Sequence, residues 1–314
     1  MYTIFANNIS FRLYALFVSL VPGYLFSCNK AVAPRLSNTT ISGSQVFTDD
    51  ATATAAIMGV YSSMVSSSYF ANGDITIDAG LSSDELINFS LSEAQPQFYS
   101  NNIQATNTNL LRMWAGIYNT VYQTNAIIEG LNTSITVSSH IKNQLLGEAK
   151  FIRAFCYFYL ANLWHRPPLI LSTNYQLNAI ISNSDSATIY EQIKADLLDA
   201  KDLLGSDFSN SAGERTRPNK YAALALLSRV YLYLHDWSNA QSTATEIISS
   251  ELFSLQVSLD DVFLINSTEA IWQLAPVERN INTREGNIFV LTGKPRSVAL
   301  NPLLVNNFES NDQR

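Results

Sequence analysis

Residues 221–250 read YAALALLSRVYLYLHDWSNAQSTATEIISS, and their spacing predicts two helices joined by the turn His235-Asp236. Leu224, Leu227, Ser228 and Tyr231 share one face of the first helix; Trp237, Ala240 and Ala244 share one face of the second. Large and small side chains alternate along these faces, so two antiparallel helices can nest closely. A pair of this kind leaves apolar surface on its outer side and becomes stable by stacking on further pairs.

This is the spacing of a tetratricopeptide repeat, with Ile247 where that pattern prefers Ala. The same helical period extends upstream. Residues 141–164 form a helix with two greasy faces, Leu145, Ala149, Ile152, Cys156, Tyr159 and Leu163 on one and Phe151, Phe155 and Phe158 on the other. Such a helix is packed between neighbours, and Pro167-Pro168 ends it. Thr188 to Gly205 opens with Thr188-Ile189-Tyr190-Glu191, a capping-box pattern. Leu111, Trp114, Tyr118, Val121, Asn125 and Ile128 mark a helix running to about Leu131, with Asn125 a buried amide bonded to a neighbouring loop. Another helix spans Asp49 to Ser66 with Thr48 as its cap. Ser82 and Glu85 are spaced as a capping box, which reads Asp84-Glu85 as a helix start. Beyond Glu251, Phe253–Val257 and Ala270–Leu274 read as short strands or extended segments. The expected fold is mainly α: a tetratricopeptide-like, right-handed stack of helix pairs with a loop-rich C-terminal part containing short strands.

The composition narrows the partners. With 47% apolar residues among 314, the chain can bury a large core. A net charge of −7 and no cluster of Lys and Arg argue against nucleic acid, whose phosphates are bound by such clusters. Two cysteines are too few for a disulfide scaffold, and Cys156, inside an apolar helix, behaves as a small hydrophobe.

Cys28 differs because of what precedes it. Leu13 to Phe26, LYALFVSLVPGYLF, is short for a membrane span but has the length of a signal-peptide core. Leu25-Phe26-Ser27-Cys28 resembles a bacterial lipobox, in which the cysteine is acylated, palmitate included, and becomes the mature N-terminus; Phe26 departs from the small residue preferred there. The alternative is a buried first helix, which Pro22-Gly23 disfavours. The expected organisation is a leader over 1–27, a lipidated polar tether over 28–46 and a helical domain over 47–314.

No chemistry stands out. His140, His165 and His235 lie far apart without ligand partners at metal spacing, and no nucleophile elbow, phosphate loop or dinucleotide glycine pattern occurs. Asp49-Asp50, Asp84-Glu85 and Asp260-Asp261 are neighbours whose side chains point apart rather than flanking a substrate bond. The reading has no catalytic residue, metal or cofactor.

Gln45 to Ser62, Asp84-Glu85-Leu86, Trp114 and Tyr118 with Asn125, and Glu148-Ala149-Lys150-Phe151-Ile152-Arg153-Ala154-Phe155 resemble the SusD/RagB family of Bacteroidetes outer-membrane lipoproteins. So, in the same order, do Asp196-Leu197, Asp236-Trp237-Ser238-Asn239-Ala240, Glu269 to Gln273 and Phe308 with Asp312 to Arg314. The resemblance implies a lid over a TonB-dependent, SusC-like outer-membrane transporter, capturing oligosaccharide or peptide at the cell surface, with the membrane reached through the lipid on Cys28. It also implies a longer C-terminal portion than this chain carries. Sugars stack on aromatic faces, so Tyr69, Phe70, Phe98 and Tyr99, in Ser- and Asn-rich connections, are the expected ligand contacts. Two other readings are a helical scaffold that holds another envelope protein and an all-helical enzyme acting on glycosides.

Overall fold

The computed structural model describes residues 46–65, 70–278 and 281–312. The leader, Cys28, nearly all of the expected tether and Tyr69 lie outside them. In chain order come α1 (Asp50–Met64), α2 (Asp74–Ser82), β1 (Leu86–Asn88), α3 (Gln95–Tyr99), α4 (Thr108–Thr133), α5 (Ser139–Trp164), α6 (Tyr175–Asn178) and α7 (Ser186–Leu203). Then follow α8 (Lys220–Tyr233), α9 (Trp237–Ile248), α10 (Arg284–Phe289), β2 (Val298–Leu300) and α11 (Pro302–Val305). The protein is mainly helical, as its periodicity predicts. No helix among the described residues is long and apolar enough to cross a membrane.

Helix α5 is the centre. It packs against α4 on one flank and α7 on the other, α8 packs on α7, and α9 on α8; α1 covers α4 and α5. Leu145, Ala149, Ile152 and Cys156 are buried on one side of α5, and Phe151, Tyr157 and Phe158 on others. Burying each large side chain contributes about 1.5–3 kcal/mol, so a helix buried on two sides concentrates the stability of the fold. Close approach depends on two glycines. A Cβ on Gly147 would stand 2.8 Å from Leu204 Cγ, and one on Gly130 would stand 2.1 Å from the Phe47 ring.

The structure differs from the local expectations in four respects. Asp49 and Asp185, not Thr48 and Thr188, cap α1 and α7: each carboxylate accepts a backbone N–H three residues on. Asp84-Glu85 does not start a helix. It follows the end of α2, with Asp84 in the left-handed region at φ 63°, and leads into β1. Leu111 and Leu163 fall at helix ends where their stripes run out into solvent. Phe253–Val257 and Ala270–Leu274 are not strands but coil, tied by bonds such as Ser254 N–H to Thr268 O at 3.1 Å. The sheet is instead β1 against β2, antiparallel, with Leu86 opposite Leu300 and Asn88 opposite Val298.

Candidate ligand-binding surface

The buried polar residues of the stack hold helices together. Arg153 on α5 donates twice to Asp196 on α7, at 2.8 and 2.6 Å, and once to Asn125 Oδ1 on α4 at 2.9 Å. Asn125 donates in turn to the Ile170 carbonyl at 3.0 Å, so it is the loop-bonded buried amide expected of it. Glu148, fully buried, accepts from Arg217, from Gln144 at 2.7 Å and from the Tyr61 hydroxyl at 2.5 Å. Burial, reinforced by the negative charge of Glu148, pushes the Tyr61 hydroxyl far above its ordinary range. These groups satisfy one another, which is what buried charge requires.

The four expected aromatics separate. Phe70 is 1% exposed and packs on Phe155 and Tyr159, with ring centroids 5.9 and 6.1 Å away. Phe98 is 5% exposed and belongs to the same core. Neither offers a face to a ligand, because both rings fill the core. Tyr69 lies outside the described residues, as does Cys28. Tyr99 is 45% exposed, at the end of α3.

The chain around Tyr99 is rich in amides. Asn101, itself at φ 51°, donates to the Ser82 carbonyl at 3.2 Å; Gln97 Oε1 accepts from Gln104 N–H and Asn107 Nδ2, each at 3.0 Å. Gln104 donates to Asn102 Oδ1 at 3.0 Å, and residues 101–106 are exposed. Cross-bonded amides of this kind brace the segment that follows the exposed ring and offer donors and acceptors to solvent, which is the chemistry that recognises hydroxyls.

A second feature lies on the α8–α9 pair. Between α8 and α9 runs an open groove of about 490 Å³ lined by Ala225, Ser228, Ala240 and Ala244, with Arg229 and Trp237 among its walls. Trp237 is 59% exposed rather than nested in its helix pair. The signal was there: three alanines and a serine at helical spacing leave space that no described element fills.

Other reactive side chains have ordinary surroundings. Cys156 is buried, and burial pushes its thiol up. His165 ends α5 at φ 64° beside the Ser186 hydroxyl, and His235 sits in the α8–α9 turn against Trp237. Among the described residues no group of three His, Cys, Asp or Glu could hold a metal ion.

Residues 48–232 match the SusD-like_3 family model, described as starch-binding associating with outer membrane. The SusD-like protein P25 of Formosa agariphila is 27% identical over 239 residues, covering 70% of this chain and 43% of that protein. A SusD-like protein of Bacteroides ovatus is 26% identical over 183 residues, 54% of this chain and 32% of that one. Among solved structures, a SusD superfamily protein from Bacteroides thetaiotaomicron superposes with a TM-score of 0.69 at 21% identity, covering 82% of this chain and 62% of its own. A laminarin-binding SusD-like protein superposes with a TM-score of 0.60 at 23% identity, over 69% of this chain and 48% of its own. The structural likeness concerns the fold, and this chain spans less than half the length of the two curated relatives.

Proposed function

Because the chain belongs to the SusD-like family, whose model matches residues 48–232, we propose that it binds carbohydrate at a bacterial outer membrane. The observation that carries the reading on this chain's own residues is the exposed Tyr99 ring, followed in the chain by the exposed, cross-bonded amides of residues 101–104. The laminarin-binding neighbour supports a glycan as ligand, with peptide the alternative cargo. In this reading the protein captures oligosaccharide and passes it unchanged to a TonB-dependent transporter of the SusC type. It faces the cell surface on a lipid anchor at Cys28 and performs no catalysis.

Calorimetry of the purified chain against laminarin and starch oligosaccharides, with chromatography of the products, tests the glycan claim. One stacked ring contributes on the order of 1 kcal/mol, so Tyr99→Ala is expected to weaken binding about fivefold at an unchanged melting temperature. Binding that survives the substitution removes Tyr99 from the site. No binding to any glycan, or a cleaved product, overturns the reading.

Anchoring has its own test, because several acyl chains hold a protein to a bilayer where one binds marginally. Cys28→Ala is expected to abolish incorporation of labelled palmitate and to release the protein from the membrane fraction. A wild-type chain that takes no label, with equal retention of the variant, rejects the anchor. The scaffold reading is favoured by one observation, the open groove between α8 and α9, whose small lining residues allow close approach of another chain.

A further inference from the structure

Helix α2 buries two carboxylates, Asp74 and Asp78, one turn apart on the same face. Arg112 of α4 donates from Nε to Asp74 Oδ2 at 3.0 Å. Arg284, the first residue of α10, donates to Asp74 Oδ1 and, at 2.7 Å, to the Asn72 carbonyl. Asp78 accepts from Asn109 Nδ2 on both oxygens, at 3.2 and 3.1 Å. Glu285 follows Arg284, accepts from the Thr76 hydroxyl and lies against Gly73, whose Cβ would stand 3.0 Å from Glu285 Cγ. The start of α10 is therefore tied to α2 through charged groups, while Ile288 and Phe289 at its other end pack on the core.

The charges facing Asp78 are Asp74 on its own helix, Arg112 from α4 and Arg284 from α10. With both carboxylates ionised, two negative groups balance two guanidinium groups. A proton on Asp78 leaves Asp74 alone between two cations. Arg112 is held in place by the long helix α4, so the lost attraction falls on Arg284, carried by six residues of α10.

We propose that Asp74, Asp78, Arg112 and Arg284 form a pH-responsive latch, which holds α10 against α2 while Asp78 is ionised and loosens it when Asp78 takes a proton. Burial, with a smaller push from Asp74, raises the Asp78 carboxyl to about 6 against the hydrogen bonds of Asn109 and the two guanidinium groups. Because this folded value lies above the ordinary one near 3.8, the group stabilises the whole fold most at acidic pH, and that contribution fades as pH rises through about 6. Retention of Arg284 runs the other way, since ionised Asp78 attracts it. Linkage makes the effect reciprocal: removing Arg284 must raise the Asp78 pKa further.

Amide hydrogen exchange, corrected for intrinsic rates, reads the latch directly. Protection of residues 284–290 is expected to fall roughly tenfold between pH 7.5 and 5, with a midpoint near 6, while α4 and α5 keep theirs. In Asp78→Asn it should be low at both pH values. Arg284→Gln, at a partly exposed position, should also be low at both, and should move the pH dependence of the melting temperature to higher pH. Wild-type protection that ignores pH, or a transition that persists in Asp78→Asn, overturns the latch. Should Asp78→Asn fail to fold, an unmoved pH dependence in Arg284→Gln does the same.

Discussion

Arg153→Met is expected to destabilise the protein by about 3–5 kcal/mol, enough to lower the melting temperature by roughly 10 °C in a domain of this size. The guanidinium is the point where three helices and a loop meet: two bonds reach Asp196 on α7, one reaches Asn125 on α4, and Asn125 carries the Ile170 carbonyl. Methionine matches much of the volume but leaves Asp196 as a buried carboxylate without its cation, and Asn125 Oδ1 without its donor. The attraction between two buried charges only roughly offsets their loss of hydration; an abandoned charge has nothing to offset it. Arg153→Met combined with Asp196→Leu should therefore recover most of the stability, which a double-mutant cycle by calorimetry measures. A single variant within about 2 °C of the parent, on the same scale, would show the pair to be energetically idle.

The other large effect belongs to Ala149, which is 0% exposed in the helix packed on two sides. Ala149→Asp should cost more than about 4 kcal/mol, because the new carboxylate enters an apolar layer. The nearby cations Lys150 and Arg153 are already committed to Asp199 and Asp196. Ala149→Gly, which changes helix propensity without introducing charge, should cost about 1 kcal/mol. Chemical denaturation of the two variants separates the causes. Equal losses would show that backbone freedom, not the charge, governs the site.

Much of the architecture is written in side-chain period, and the exceptions have physical causes. Helices α5, α8 and α9 declare themselves because their apolar stripes are long. Helix α2 does not, since its nine residues carry Asp74 and Asp78 on the buried face and so break the apolar period there. The small sheet is invisible locally: Leu86–Asn88 and Val298–Leu300 are three residues each, and only their meeting in space makes them strands. Phe253–Val257 looks more strand-like but meets no partner to form a ladder. The proposed ligand surface was half legible. An aromatic doublet in a polar connection says that aromatic side chains sit there, not which of the two faces inward. In Phe98-Tyr99 the first fills the core and the second meets solvent.

The antiparallel ladder between β1 and β2 also sets the order in which the molecule can assemble. Helix pairs such as α4 with α5 and α8 with α9 join neighbours in the chain, so little entropy is lost in bringing them together. The ladder cannot form until residues 89–297 have been drawn into one closed loop. Loop-closure entropy grows with length, by about 0.6 kcal/mol for each doubling, and contacts between distant residues form slowly. Three residue pairs give little in return. The strands are thus a late clasp, closed after the helical stack has brought its two ends within reach and reopened well before that stack comes apart.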